Sequence, residues 1–193
     1  ADLGNGRHGF SLMNDSKYGY DAKDNVLRLS LLRAPTYPDP TADRGRQQFS
    51  YSLYPHAGSW KQAETELRAY EFNYKLRASQ AESHQGGLPA THSFVQVKPN
   101  NLVLTALKKS EDGNSLILRF YEWAGEKTKA TISVPAGASE AVETDLMEHD
   151  LKGAGARLAL HDGQVGVEVE PFSINTVRIV YNVRGDGFWG AQR

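Results

Sequence analysis

Apolar residues in this chain mostly alternate with polar residues, or form short runs bounded by turn residues. This spacing is typical of β-strands. In the first part of the chain it predicts strands over residues 25–35 and 49–60. In the second part it predicts eight short strands, over residues 93–98, 101–109, 115–124, 129–135, 141–147, 156–161, 164–170 and 175–183.

The alternation also assigns faces within the strand predicted over 49–60. Phe49, Tyr51 and Leu53 share one face, while two serines and Tyr54 share the other.

Turn residues and one helical segment complete the predicted pattern. Residues 61–74 are rich in Ala, Glu and Leu and predict the only good helix. Two Asp-Gly pairs, Asp112-Gly113 and Asp162-Gly163, can supply the positive φ of type I′ hairpins. We therefore predict an all-β protein, with antiparallel β-sandwich units and one short helix.

Composition and charge narrow the possible partners. The chain has 193 residues and a formal charge of −1, from 22 basic and 23 acidic side chains. Neither nucleic acid nor a membrane is expected as a partner, because charge gives no attraction and no apolar run approaches about 18 residues. Cysteine is absent, which excludes disulfides and a thiol nucleophile, and it favours a cytoplasmic location.

Local motifs give little support for catalysis by this chain alone. The six histidines have no metal-ligand spacing, so we expect no metal site here and no catalytic residues. The sequence "GDGFWG" at 185–190 matches a phosphate-binding pattern, but no helix follows it. His56 follows Pro55 at a strand end and is interpreted as a hydrogen-bonded structural histidine.

The segment "MNDSKYGYD" at 13–21 is the best candidate for contact with a ligand. Sugar recognition uses planar polar groups for hydroxyls and aromatic faces for C–H surfaces. The candidate substrate-binding residues are Asn14, Asp15, Lys17, Tyr18 and Tyr20.

The same segment could instead be a structural turn. In that interpretation Asp15 caps backbone amides, Lys17 pairs with Asp21, and the tyrosines close the sandwich. In the ligand-contact interpretation, Gly19 lets the backbone turn sharply between the tyrosines. The sequence leaves the two alternatives open.

Several stretches together resemble one enzyme family, the α-mannosidases of glycoside hydrolase family 38. The stretches are "ADLGNGRHGFSLMNDSKYGYDAKDNVLRLSLLRAPTYPDP", "DRGRQQFSYSLYPHAGSW", "VLTALKKSEDGNSLILRFYEWAG", "ETDLME" and "EPFSINTVRIV". Their order is that of the family, and they cover residues 1–181. The combination of N-D-x-K-Y-G-Y, L-R-L-S-L-L-R, Y-P-H-A-G and R-F-Y-E makes the resemblance specific.

The resemblance is to the C-terminal β part of these enzymes. It implies that residues 1–80 are the second half of a large β-sandwich, 81–91 a linker, 92–183 a small terminal sandwich, and 184–193 a tail. It also implies that catalysis occurs in an N-terminal domain missing from this chain. There a divalent metal, usually zinc, lies beside an aspartate nucleophile, and the anomeric configuration is retained.

The expected function follows from that resemblance. This chain would be the accessory and scaffold region of a retaining α-mannosidase acting on terminal α-mannosides, with the 14–21 loop at the rim of the sugar-binding cleft. Its expected partners are the missing N-terminal catalytic domain, the α-mannoside carbohydrate, and a second copy in a homo-oligomer. The alternative is a stand-alone carbohydrate-binding or protein-interaction module, although Trp60, Trp123 and Trp189 are widely spaced for sugar binding.

Overall fold

The computed structural model describes residues 1–83, 85–113, 115–153 and 156–181. It divides into two compact units, Ala1–His84 and Gln85–Arg193. The predicted tail 184–193 and the "GDGFWG" motif lie outside the described residues. The described part is mostly antiparallel β-sheet with one short helix, which confirms the predicted fold class.

The first unit is built on a three-stranded antiparallel sheet in the order β1-β2-β5. A separate hairpin, β3–β4, and one helix, α1, complete it. The bounds are β1 Asp2–Gly4, β2 His8–Asn14, β3 Tyr20–Lys23, β4 Val26–Leu29, β5 Tyr51–Ala57 and α1 Thr65–Asn73.

Backbone geometry makes these elements shorter than the sequence predicts. Strand β4 ends at Leu29 rather than at residue 35, and Ala34 soon afterwards takes a left-handed φ of 48°. The helix begins at Thr65 rather than at residue 61, because Glu64 takes a φ of 52°. Left-handed residues interrupt regular structure, and nothing in the local residue pattern indicates them.

The alternation predicted for β5 is correct, but its apolar face is the exposed one. Hydrogen bonds hold the other face against the helix region: the Ser11 and Thr65 hydroxyl oxygens lie 2.8 Å apart, and the Tyr54 hydroxyl donates to the Ala63 carbonyl at 3.1 Å. The open face presents Tyr51 and Leu53, which are 54% and 56% exposed.

The second unit is a sandwich of two four-stranded antiparallel sheets, ordered β10-β13-β8-β7 and β11-β12-β9-β6. The strands are β6 Gln96–Lys98, β7 Leu102–Lys109, β8 Ser115–Glu122, β9 Thr128–Ser133, β10 Ala138–Thr144, β11 Leu160–His161, β12 Gln164–Val169 and β13 Ile174–Tyr181. Side chains from both sheets, including Phe120, Ile132 and Val165, are completely buried between them.

The buried apolar residues are distributed very unequally. Of the twenty buried hydrophobic residues in the described part of the chain, only Leu12 and Met13 belong to the first unit. The second unit therefore has a core of its own, whereas the first leaves most of its apolar surface open.

The two Asp-Gly turns differ in type. Asp162 and Gly163 have φ values of 48° and 72° and form the predicted type I′ turn between β11 and β12. At Asp112-Gly113 only the glycine has a positive φ, so the type I′ prediction is wrong there. The last paired residues there are Lys109 and Leu116, so the connection is longer than the two-residue loop of a type I′ hairpin.

Candidate functional site

The loop that joins β2 to β3 is shaped by the side chain of Asn14. Its Oδ1 accepts hydrogen bonds from the backbone N–H groups of Lys17 and Ser16, the latter at 3.0 Å. Its Nδ2 donates to the Tyr20 hydroxyl, which in turn donates to the Leu12 carbonyl at 3.2 Å. Asn14 and Tyr20 therefore build the turn itself.

Asp15 ties this loop to the residue just before β5. Its Oδ1 accepts from the Ser50 backbone N–H at 3.0 Å, and its own N–H donates to the Ser50 carbonyl at 3.2 Å. The hydrogen bond from the Ser50 backbone holds the pKa of Asp15 below its ordinary value. Asp15 thus links two segments 35 residues apart, in addition to any local capping.

Lys17 and Tyr18, the next two candidate residues, differ in their surroundings. The Lys17 Nζ lies 5.2 Å from the centroid of the Phe49 ring, within cation–π range. Asp21 pairs with Arg28 on the neighbouring strand, not with Lys17 as the structural-turn alternative expected. Tyr18 is 92% exposed and does not close a sandwich.

Gly19 lies close to the residue that follows strand β4. Its φ is not positive, so its role here does not depend on a left-handed backbone. A Cβ at this position would lie 3.1 Å from the Cβ of Ser30, and the Ser30 N–H donates to the Gly19 carbonyl at 2.8 Å. Glycine thus allows the loop to approach the strand end closely.

A cleft of about 720 Å³ opens beside this loop, lined by residues 16–19, residues 30–33 and Asp43. Its lining includes Lys17, Tyr18, Arg33 and Asp43. The Asp43 carboxylate also accepts a hydrogen bond from the Ala34 N–H at 2.8 Å. Such a set can bind a ligand rich in hydroxyl groups.

The structure thus divides the five predicted residues into two groups. Lys17 and Tyr18 line the cleft, whereas Asn14, Asp15 and Tyr20 hold the loop in shape. Contact with substrate stays a prediction for all five. Sequence reasoning missed Arg33 and Asp43, because the backbone turn at Ala34 that precedes their approach leaves no signal in the local pattern.

A serine, a histidine and an aspartate also lie close together on the β1-β2-β5 sheet. Ser11 Oγ and His56 Nε2 each lie 2.8 Å from the same atom, Asp2 Oδ1. A nucleophilic triad needs a serine bonded to the histidine, and here the completely buried Ser11 bonds to the carboxylate instead. The cluster is structural, which confirms the interpretation of His56.

The carboxylate of Glu122, the last residue of the "RFYE" stretch, has a structural role in the second unit. Glu122 is 1% exposed. Its Oε1 accepts from Asn101 Nδ2 at 2.9 Å and the Ala124 N–H at 2.7 Å, and its Oε2 from the Gly125 and Phe172 N–H groups at 2.7 and 3.1 Å. Burial opposes ionisation, but these hydrogen bonds outweigh it and hold the pKa of Glu122 below its ordinary value.

The described residues contain no group of three or more His, Cys, Asp or Glu side chains that could hold a metal ion. The zinc implied by the family resemblance therefore has no fitting ligand set in this part of the chain. No helix among the described residues is long and apolar enough to cross a membrane.

Comparison with known families identifies two regions of the chain. Residues 1–41 match the glycosyl hydrolases family 38 C-terminal domain. Residues 101–177 match the glycosyl hydrolases family 38 C-terminal beta sandwich domain, which lies within the second unit.

Individual relatives extend this match along nearly the whole chain. Alpha-mannosidase 2C1 of Homo sapiens is 36% identical over 183 residues, which are 93% of this chain and 17% of the human protein. An alpha-mannosidase of Saccharomyces cerevisiae is 27% identical over 201 residues, covering 94% of this chain and 18% of the yeast protein. The chain thus spans less than a fifth of these relatives.

Solved structures show the same fold. A family 38 glycosyl hydrolase from Enterococcus faecalis superposes with a TM-score of 0.72 at 20% identity, over 92% of this chain and 21% of the bacterial one. The family matches, the sequence identity and the shared fold all indicate the same relationship. The chain carries C-terminal domains of glycosyl hydrolase family 38 and is homologous to the C-terminal part of its α-mannosidases.

Proposed function

We propose that this chain is the C-terminal accessory and scaffold region of a retaining α-mannosidase that hydrolyses terminal α-mannosides. One observation carries the proposal: the human α-mannosidase matches 93% of the chain, yet the chain spans only 17% of that enzyme. The nucleophile, its acid partner and the divalent metal, zinc in the family, would then belong to the remaining four fifths. The absence of cysteine favours a cytoplasmic location for this enzyme.

The scaffold role rests on the open face of the β1-β2-β5 sheet. Phe10, Tyr51 and Leu53 lie on this face and are 38%, 54% and 56% exposed. Soluble proteins rarely leave such apolar faces open to water. The occupant we propose is the preceding part of the same enzyme, which would complete the large sandwich and bury these side chains.

The rim role rests on the cleft beside the β2–β3 loop. Lys17 and Tyr18 are the candidate residues that line it, and Asn14 and Asp15 hold their loop in place. We propose that the Tyr18 ring and the Lys17 ammonium contact a mannoside at the edge of the catalytic cleft. A lysine donates to sugar hydroxyls, and an exposed tyrosine ring accepts the C–H face of a pyranose.

The second candidate is a stand-alone protein-interaction or carbohydrate-binding module. The same exposed apolar face favours the interaction version, because it would bind an unrelated partner equally well. The two candidates differ in whether a glycosidase needs these 193 residues.

A reassembly experiment distinguishes them. The preceding part of the enzyme and the 193-residue chain are expressed separately, mixed, and assayed with a chromogenic α-mannoside. We expect the chain alone to be inactive, with or without added zinc, and the mixture to co-elute and recover activity. Full activity of the preceding part by itself would contradict the scaffold role.

Two variants test which surface of the chain contacts the preceding part of the enzyme. Leu53→Asp should impair reassembly, because it places a charge on the open face of the first unit. Leu107→Asp, at a 50% exposed strand position in the second unit, is the matched control and should reassemble normally. Equal loss in both variants would show that the open face of the first unit is not the docking surface.

A further inference from the structure

The C-terminal turn of helix α1 carries a stacked pair of tyrosines. The rings of Tyr70 and Tyr74 have centroids 5.5 Å apart and planes only 15° from parallel. The Tyr74 N–H donates to the Tyr70 carbonyl at 2.7 Å, which fixes the backbone at the end of the helix. Tyr74 is nevertheless 75% exposed, so the pair forms an aromatic platform that is open to solvent.

Two clefts adjoin this platform. One, of about 430 Å³, is lined by Glu66, Ala69, Tyr70, Asn73 and Tyr74. The other, of about 470 Å³, is lined by Asp15, Ser50 and residues 72–77. Asn73 and Tyr74 line both clefts, so the two clefts are adjacent, and we name them together the tyrosine groove.

Asn73 is held in a defined orientation between the clefts. Its Nδ2 donates to the Asn14 carbonyl at 3.2 Å and to the Ala69 carbonyl at 3.0 Å. Both hydrogens of the amide are therefore used within the protein, and the amide carbonyl oxygen is left as the acceptor for a ligand. An acceptor fixed beside a flat aromatic ring suits a hydroxyl next to an apolar C–H face.

We propose that the tyrosine groove is an oligosaccharide-binding subsite that takes a neutral sugar residue beyond the one being cleaved. The Tyr74 ring would stack on the C–H face of the pyranose, Asn73 Oδ1 would accept from a hydroxyl, and Asp15 would reach the next sugar. Two carboxylates, of Glu66 and Asp15, and two cations, of Lys75 and Arg77, line the groove. These charges balance, so the groove has no net charge that would favour an ionic ligand over a neutral sugar.

This proposal rests on the proposed function for the identity of the sugar, but it concerns a separate surface. The cleft of Lys17 and Tyr18 shares no lining residue with the tyrosine groove. Loss of the groove should therefore lower the affinity for an oligosaccharide but not for a monosaccharide. Loss of the proposed rim contact would lower the affinity for both.

The test uses the complete enzyme and a thio-linked α-mannotrioside, in which sulfur replaces the bridging oxygens so that the probe resists hydrolysis. Binding is measured by calorimetry for the wild type, Tyr74→Ala and Tyr74→Phe. Tyr37→Ala, at another tyrosine that is 87% exposed, is the matched control. Methyl α-mannoside serves as the monosaccharide probe, and hydrolysis of a chromogenic α-mannoside is followed in parallel.

We expect Tyr74→Ala to weaken trioside binding about tenfold. Tyr74→Phe and Tyr37→Ala should retain wild-type affinity, and methyl α-mannoside binding should be unchanged throughout. Trioside affinity that is unaffected by Tyr74→Ala would overturn the inference, as would an equal loss for the monosaccharide. A wild-type enzyme without hydrolytic activity would refute the proposed function, and the binding comparison would still test the groove.

Discussion

Replacement of Glu122 by glutamine is the sharpest test of how the terminal sandwich is held together. The carboxylate accepts four hydrogen bonds, two on each oxygen, at 1% exposure. Glutamine keeps the size of the side chain but replaces one oxygen with an NH₂ group. Whichever oxygen is lost, two N–H donors then face another donor.

The size of the effect follows from that count. Each buried donor left without a partner costs about 1–3 kcal/mol, so the two donors left by Glu122→Gln should lower the free energy of unfolding by about 2–6 kcal/mol. For a unit of roughly a hundred residues, each kcal/mol lowers Tm by about 4–8 °C. The melting temperature of the second unit should therefore fall by at least about 8 °C.

The assay is thermal unfolding followed by circular dichroism at pH 7 and again at acidic pH. Glu168→Gln makes the same chemical change at an exposed position of β12 and should stay within about ±0.5 kcal/mol. Because the folded-state pKa of Glu122 is lowered, its stabilisation is complete above the unfolded value of about 4.3 and is lost as the pH falls through the folded value. The gap between wild type and Glu122→Gln should thus narrow in acid, and a gap that is absent at pH 7 would refute the reasoning.

Three further outcomes are expected. In the assembled enzyme, Lys17→Ala should lower kcat/KM about tenfold with little change in Tm, whereas Asp15→Asn should lower Tm because the carboxylate anchors the loop. If both variants lost the same amount of Tm, Lys17 would instead have a structural role. Gly163→Ala should destabilise by about 1 kcal/mol or more, since its φ is 72° and a Cβ would meet a backbone oxygen at 2.9 Å; Gly166→Ala, with open space around it, is the control. Light scattering should show self-association of the isolated 193-residue chain, and a stable monomer that binds no hydrophobic dye would contradict this.

The fold was predictable wherever local residues decide it. Alternation located the strands of the second unit, because one face of each sheet is buried against the other sheet. The Asp162-Gly163 turn was predictable because both residues tolerate the left-handed backbone they adopt. The start of helix α1 and the end of strand β4 were less predictable, since Glu64 and Ala34 adopt positive φ without a residue type that indicates it.

The candidate site was predictable only in part, for a related reason. The sequence identified the polar and aromatic loop 14–20, but not which of its side chains would be used for its own folding. Asn14 and Asp15 form bonds to backbone groups, and such bonds are invisible until Ser50 and the turn are positioned. Asp2 and His56 are in contact although they are 54 residues apart in the sequence. A contact between such distant residues leaves no signal in the local residue pattern.

The unequal distribution of buried residues also has a consequence for the lifetime of the protein. Local opening is easiest where few apolar side chains are buried, and proteases cut segments that open. Because Leu12 and Met13 are the only buried hydrophobic residues described in Ala1–His84, a protease should digest that unit first and leave the terminal sandwich intact. A stable C-terminal fragment in an extract would then be a degradation product, and its amount would report how much of the enzyme had lost its proper assembly.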